Sequence, residues 1–487
     1  MHKPFFIRFF IRFFIRDVFF PRNRAFLTRT VRHHTSRGVL KIGLALGLAC
    51  GGLPFLYSPP TFAQAVAFDW SAAPTEQQVD SLDLKQAILR AFARNPQIAQ
   101  ASAQIRVGEA DLRVAQSAWF PQIGLSGNVG RSDQSDTGGT MSNNSTAGLT
   151  LKQLLYDFGK TGGSIDEQHS LSDAYRYQLY GTMTTVGQQT LLTYLKIKRY
   201  QELSQAAERN ITSLSLVKDT ATLRAEAGLS TQSDILQAET RIAGMRATLE
   251  QYRALERSSL AQLSVLTGVL PTALPDLPRA LLQQKITLKA LPYQQSNAVL
   301  SAQSKQEASR HRIRQAEAQH FPTIAVQAGR TRYETDRRNY WDDQLQLVVE
   351  APLYQGGAVS ARVDAASGTR EAAQAEVEAA KLDMNQKAST AYADLIGAQQ
   401  REKASQQQIT SATYTRNVYQ DEYKLSKRSL NDLLSVEQDV LQAETSRIGA
   451  LYDGWEATVN YAAAVDNLLD MLGIERHQAS GETLPSL

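Results

Sequence analysis

Two hydrophobic periods alternate along this chain. From Leu84 to about Ala118 the apolar positions follow helical spacing, with Asp83 placed to cap the start and Pro121 to stop the run. The period then drops to two. Ile123, Leu125 and Val129 alternate with Gly124, Ser126, Asn128 and Gly130. After a polar loop from Ser132 to Ser145, Ala147, Leu149 and Leu151 alternate with Gly148, Thr150 and Lys152. Strands of about ten residues, apolar on one face and polar or tiny on the other, suit the wall of a membrane β-barrel. From Gly163 to Arg224 no proline interrupts the chain, which predicts a helix of roughly 90 Å at 1.5 Å per residue. Leu179, Val186, Thr193 and Tyr200 are spaced by seven, and Met183, Thr190 and Ile197 follow the first three by four, which is a coiled-coil seam. A return helix carries Ile235, Ala238, Ile242, Met245, Leu249 and Tyr252.

This text is written twice. Tyr156 and Tyr354, Tyr194 and Tyr392, Asp234 and Asp432, and Glu239 and Glu437 all stand 198 positions apart. Phe120-Pro121-Gln122-Ile123 returns as Phe321-Pro322-Thr323-Ile324, offset by 201. The period is far longer than a solenoid unit of about 20–50 residues, so it marks a duplicated half-molecule. The second half has its own alternation at Ile324, Val326 and Ala328, a charged turn at Arg337-Arg338-Asn339, and Leu345, Leu347 and Val349. Its long helix carries the seam Val377, Met384, Ala388, Ala391, Leu395 and Ala398, interrupted by Lys381. The order in each half is helix, two strands, long helix, return helix. The expected boundaries are 66–277 for the first repeat, 278–474 for the second and 475–487 for a C-terminal tail.

Four strands cannot close a barrel, and open sheet edges are not tolerated in lipid. Either the hairpins are soluble or several chains pool them. Helices this long, with many small seam residues and flanks of Gln, Ser and Thr, are poor material for a compact globule and suit a tube or bundle.

The formal charge of +4 is concentrated at one end. Residues 1–65 hold ten Lys/Arg and a single acid, leaving 42 basic and 47 acidic residues from position 66 onward. That balance is no electrostatic footprint for nucleic acid. The basic end reads as a signal peptide with an unusual N-terminal extension, residues 1–65. Arg37 and Lys41 precede an apolar run from Ile42 to Cys50, and Ala63-Gln64-Ala65 supplies the small-residue cleavage pattern. The stretch before Arg37 repeats Phe-Phe-Ile-Arg three times, and either translation begins near Val39 or the signal is extended. Cys50, the only cysteine, lies inside this segment, with Gly47 where a lipidation motif wants leucine. The exported chain would hold no disulfide or cysteine metal site.

Asn95-Pro96, Phe120-Pro121 and Phe321-Pro322 precede or flank the strands; Leu155-Tyr156-Asp157-Phe158-Gly159 and Pro352-Leu353-Tyr354-Gln355-Gly356-Gly357 follow them. Ala227-Gly228-Leu229-Ser230 leads into Ser233-Asp234-Ile235-Leu236 at the hairpin. In this order, given twice from Leu82 to Ile474, the chain resembles the TolC-like outer-membrane channel family. The resemblance implies a homotrimer whose protomers pool strands into a twelve-stranded β-barrel continued by a twelve-helix α-barrel tube across the periplasm. Segments near Pro271–Pro292 and after Ile474 would form an equatorial belt. It implies as partners a periplasmic adaptor protein, an inner-membrane ABC transporter or proton-driven pump, and outer-membrane lipid. It also implies a periplasmic gate, with Tyr423 and Arg428 linked to Ser233 and Asp234, and a pore constriction ring at Asp432. Ser435 stands where a second acidic ring would lie, and Ser426 replaces the glycine that the first hairpin has at Gly228. The plain alternative is that these are ordinary surface polar residues.

No catalytic constellation is evident. His169, His311, His320 and His477 lack metal-ligand spacing, and there is no phosphate-binding G-x-x-x-x-G-K-[ST] loop, so no metal, cofactor or enzyme activity is expected. The resemblance implies an outer-membrane exit duct for type I protein secretion or efflux, and the Arg428-Ser429-Leu430-Asn431-Asp432-Leu433-Leu434 tip resembles that of channels paired with type I secretion exporters. The alternatives are a multidrug efflux component and, from another class, a soluble periplasmic coiled-coil scaffold.

Overall fold

A short strand, β1 (Gln77–Ser81), leads into α1 (Leu84–Arg94), whose N-cap Asp83 accepts from the Lys85 amide. A second helix, α2 (Pro96–Ser117), follows at once. The single helix expected from Leu84 to Ala118 is therefore two. Pro96 lacks an amide hydrogen and drives Asn95 out of the helical region, to φ −78° and ψ 122°. Asn95 then caps the new helix by accepting from the Gln97 amide at 2.8 Å. The structure is a computed structural model describing residues 77–132, 142–277, 286, 288, 291–336 and 338–474. The signal segment, its Ala63 and Ala65, the C-terminal tail and His477 lie outside the described residues.

Next come β2 (Gln122–Asn128), a short β3 (Arg131–Ser132) and β4 (Ser142–Tyr156). The start of β4 falls inside the stretch read as loop. Asn144 and Ser145 pair with Thr335 and Glu334 of the second half, so a partner strand extends the ladder where local composition favours a turn. The long helix α3 (Lys160–Glu226) returns through α4 (Gln232–Thr267) into β5 (Val269–Ala273). The second half runs α5 (Asn297–Ala318), β6 (Thr323–Thr335), β7 (Asn339–Glu350), α6 (Ala358–Lys424), α7 (Leu430–Ala464) and the short α8 (Leu468–Met471). The two long helices are both 67 residues, each about 100 Å. Among the described residues no helix is long and apolar enough to cross a membrane.

Most seam positions read from the sequence are buried, while Tyr200 and, on the return helix, Ile235, Met245 and Tyr252 are half-buried. Leu179, Met183, Val186, Thr190, Thr193 and Ile197 are inside on α3, and Val377, Met384, Ala388, Ala391, Leu395 and Ala398 on α6. Lys381 does not break its seam, because its ammonium swings out to Glu378 at 2.8 Å. Three buried hydroxyls on α3 are satisfied within the helix: Thr184, Thr190 and Thr193 donate to the carbonyls four residues back. This lets small polar residues pack where a core would otherwise demand aliphatic ones. β1 pairs in parallel with β5, partners 192 positions apart such as Val79 opposite Pro271, a union with no signal in the local pattern. An apolar cluster including Leu82, Phe92, Tyr194, Leu263, Val269, Tyr452 and Leu469 gathers both halves at this level.

Candidate functional site: the sheet, its junction and the hairpin tips

The hairpins of both halves join in one antiparallel sheet of order β2-β4-β6-β7, with β3 pairing β4 beside it. Its register sorts the faces. Ile123 opposes Leu151, Leu151 opposes Ala328, and Ala328 opposes Leu345; Val326 opposes Leu347 and Ile324 opposes Val349. These residues share one face by strand alternation. The other face carries Gly124, Thr150, Lys152, Gln327, Gln344 and Gln346. Leu125 (83 % exposed), Leu345 and Leu347 have no cover within the chain. Aromatic residues lie at both ends of the sheet: near the turn Trp341 on the apolar face, with the stacked Tyr333–Tyr340 pair on the opposite face, and Tyr156, Phe158 and Phe321 near the helices. An outward apolar band between aromatic girdles is what a lipid-facing barrel wall needs.

At the foot of the sheet the chain turns from strand to helix through two left-handed residues. In the first half these are Phe158 (φ +57°) and Gly159 (φ +100°); in the second, Gly356 (φ +62°) and Gly357 (φ +83°). Phe158 is held there by rings, stacked on Phe321 at 5.3 Å and edge-on to Tyr156 at 4.7 Å. Asp157 is buried, and its carboxylate accepts from the Gly159 amide at 3.1 Å and the Thr161 amide at 2.7 Å. Lys160 donates to the Phe321 carbonyl and the Thr323 hydroxyl, both at 2.8 Å, tying the start of α3 to the start of β6. The junction thus joins the two halves.

At the far end of the helices the two hairpins pack together. Leu214, Val217 and Ala221 of α3 and Ile242 of α4 meet Tyr423 of α6 and Leu430, Leu433 and Leu434 of α7. Tyr423 is buried and its hydroxyl has no hydrogen-bond partner among the described residues. Arg428 donates to Glu422 at 2.9 Å and lies over the Tyr419 ring at 4.4 Å. Asp234 accepts from the Ser230 hydroxyl, and Ser233 is exposed on the first turn of α4. A single chain therefore brings all four expected gate residues to the same end without joining Arg428 to Asp234. Asp432 forms a capping box with Ser429 at the start of α7, receiving the Ser429 amide at 3.3 Å.

Three residues at this end make contacts to which the sequence reading assigned no role. Glu437 is 1 % exposed; its Oε1 accepts from Ser213 at 2.8 Å and Gln420 at 3.3 Å, with Arg416 at 4.0 Å. Its duplicate Glu239 is exposed. Arg224, the duplicate of Glu422, reaches from α3 to the second hairpin, donating to the Lys424 carbonyl at 3.0 Å and the Ser426 hydroxyl at 2.8 Å. Ser426 takes φ +63°, matching Gly228 at +76°, where a side chain costs about 1–2 kcal/mol. The 198-residue offset was the available signal: it pairs Arg224 with Glu422 and Gly228 with Ser426. Among the described residues no group of three His, Cys, Asp or Glu side chains could hold a metal.

A two-faced sheet with aromatic ends, set on paired helices about 100 Å long, defines an outer-membrane channel built from a β-barrel wall and an α-helical tube. The chain belongs to the outer membrane efflux protein family, whose profile matches residues 87–269 and 292–465, one block in each half. It is 23 % identical over 420 residues to the outer membrane efflux protein BepC of Brucella suis, covering 84 % of this chain and 91 % of that protein. Protein CyaE of Bordetella pertussis is 25 % identical over 415 residues, covering 81 % and 86 %. In fold it is similar to the outer membrane protein VceC of Vibrio cholerae, with a TM-score of 0.67, 16 % identity and coverage of 79 % of this chain and 96 % of that one. The MtrE channel of Neisseria gonorrhoeae in its open state gives 0.65, at 18 % identity and 79 % and 89 % coverage. The protein is an outer-membrane exit duct for secretion or efflux, extending into the periplasm.

Proposed function

We propose that three copies of this chain close into one duct, a twelve-stranded barrel continued by a twelve-helix tube, which a periplasmic adaptor joins to an inner-membrane transporter. One observation carries the reading. The apolar sheet has two outer strands, β2 and β7, each with one partner in the chain. Unpaired strand edges cannot stand in hydrocarbon, and closure by neighbouring copies pairs β7 of one protomer with β2 of the next. The test is extraction from outer-membrane fractions followed by mass measurement in detergent. A heat-modifiable trimer is expected; a monomer in the soluble periplasm overturns the duct in favour of a coiled-coil scaffold.

For cargo, we infer type I protein secretion, carried by the Arg428–Asp432 tip. The efflux reading is favoured by relatives such as the probable efflux pump outer membrane protein TtgC of Pseudomonas putida, 23 % identical over 485 residues. Deleting the gene separates them. Loss of an exported polypeptide with unchanged drug tolerance supports secretion, and the reverse pattern supports efflux. Within the duct we assign the gate to Tyr423, Arg428, Ser233 and Asp234 acting between and within protomers, and the constriction ring to Asp432. Arg428 supports this because its present partner Glu422 is on the surface, so exchange to another carboxylate is cheap. Processing after Ala65 completes the proposal.

A further inference from the structure

The two hairpin tips carry duplicated text but opposite charge at one position, Arg224 in the first and Glu422 in the second. Each long helix ends in the same turn. Leu229 donates its amide to the Arg224 carbonyl at 2.8 Å, and Lys427 to the Glu422 carbonyl at 2.9 Å, wrapping around a left-handed residue. In the first hairpin that residue is Gly228; in the second it is Ser426, for which the conformation is strained. Glu422 stays within its own hairpin and holds Arg428. Arg224 does not. Its guanidinium crosses to the second hairpin, bonding the carbonyl of Lys424, the last residue of α6, and the hydroxyl of Ser426. It also covers the Tyr423 ring, with Cζ 4.8 Å from the ring centre, and a weaker bond at 3.4 Å reaches Leu229 in its own turn.

We propose that Arg224 is a positioning residue of the gate, holding the second hairpin against the first through Ser426, the Lys424 carbonyl and the Tyr423 ring. The assignment rests on the reading of Tyr423 and Arg428 as gate residues, and it explains how they are placed. Tyr423 lies under the guanidinium, and Arg428 begins two residues beyond the hydroxyl that the guanidinium fixes. Ser426 is tolerated in a glycine conformation because its side chain supplies the acceptor; a glycine there would free the turn from Arg224. On the gate reading the two hairpins part as the aperture widens, and these bonds would then be lost on opening. Lysine cannot replace arginine at this point, since a single ammonium cannot span a carbonyl, a hydroxyl and a ring face together.

The experiment uses the full-length trimer in planar bilayers. Arg224→Gln, Ser426→Ala and their combination are compared with wild type and with Tyr423→Phe/Arg428→Ser. Arg224→Gln is expected to raise the open-to-closed ratio roughly tenfold, since two exposed hydrogen bonds and the contact with the buried Tyr423 ring are lost together. Ser426→Ala should move it the same way by less, and the combination should add little to Arg224→Gln alone, as one link is removed once. The heat-dissociation temperature of the trimer should stay near that of wild type. Unchanged conductance with a lowered dissociation temperature makes Arg224 a stability contact and overturns the proposal, as do fully additive effects. If the Tyr423/Arg428 variant opens and Arg224→Gln does not, the inference fails while the gate stands. If neither opens, both fail. If only Arg224→Gln opens, the four-residue gate falls and Arg224 is the closing contact.

Discussion

Asp157 offers a sharp test, because the duplication supplies its own control. The carboxylate is 3 % exposed and accepts two amides of the first turn of α3, the Thr161 amide lying in a buried setting. Asp157→Ala removes both acceptors where water cannot readily substitute. An unmet buried donor costs roughly 1–3 kcal/mol, and loss of a carboxylate at a helix N-terminus costs about 0.3–1 kcal/mol more. A loss of roughly 2–3 kcal/mol per chain follows, tripled in a trimer. Asp157→Asn keeps one acceptor oxygen and should fall between. Gln355, 198 positions on, is exposed, and its helix α6 has no side-chain cap. Gln355→Ala should therefore leave stability unchanged. The assay is thermal unfolding of the detergent-solubilised protein by far-UV circular dichroism, together with the heat-dissociation temperature. Asp157→Ala melting alongside Gln355→Ala would refute the assignment of the junction to this carboxylate.

Other expectations concern single contacts. The double variant Tyr423→Phe/Arg428→Ser should raise single-channel conductance with trimer assembly unchanged; wild-type conductance would leave Tyr423 as a packing residue and Arg428 as a surface ion pair, with no part in gating. Asp432→Asn keeps the acceptor of the capping box but removes the charge, so block by divalent cations from the periplasmic side should weaken in bilayers with little change in melting. Glu437→Ala strips Ser213, Gln420 and Arg416 of a common partner and should lower stability by about 1–3 kcal/mol in denaturant titration. Glu239→Ala, at the exposed duplicate, should have no effect. Gly163→Ala would place a methyl group 3.2 Å from the Gln315 amide nitrogen and 3.3 Å from its Cα. The backbones of α3 and α5 must then part, costing about 1–3 kcal/mol, read as a lowered melting temperature.

The sequence by itself determined whatever depends on near neighbours along the chain. Periods of seven fixed which faces of α3 and α6 are buried, and alternation at Ile123–Leu125 and Leu345–Val349 fixed the lipid-side face of the sheet. The repeated motifs carried the architecture and the family, since a doubled helix–strand–strand–helix plan leaves few ways to hide its edges. Even the break at Asn95-Pro96 was written locally, in a proline that cannot continue a helix. Tertiary structure decided what requires a distant partner. β4 begins at Ser142 because β6 extends its ladder, and β1 exists because β5 lies beside it. Glu239 and Glu437 occupy the same place in the same motif, yet one faces solvent and the other is enclosed by Ser213, Arg416 and Gln420. Duplication copies local interactions but cannot copy surroundings: the first hairpin packs against the second, and each therefore meets a different neighbour. For the same reason Arg224 finds a strained serine across the gap while Glu422 finds only its own turn.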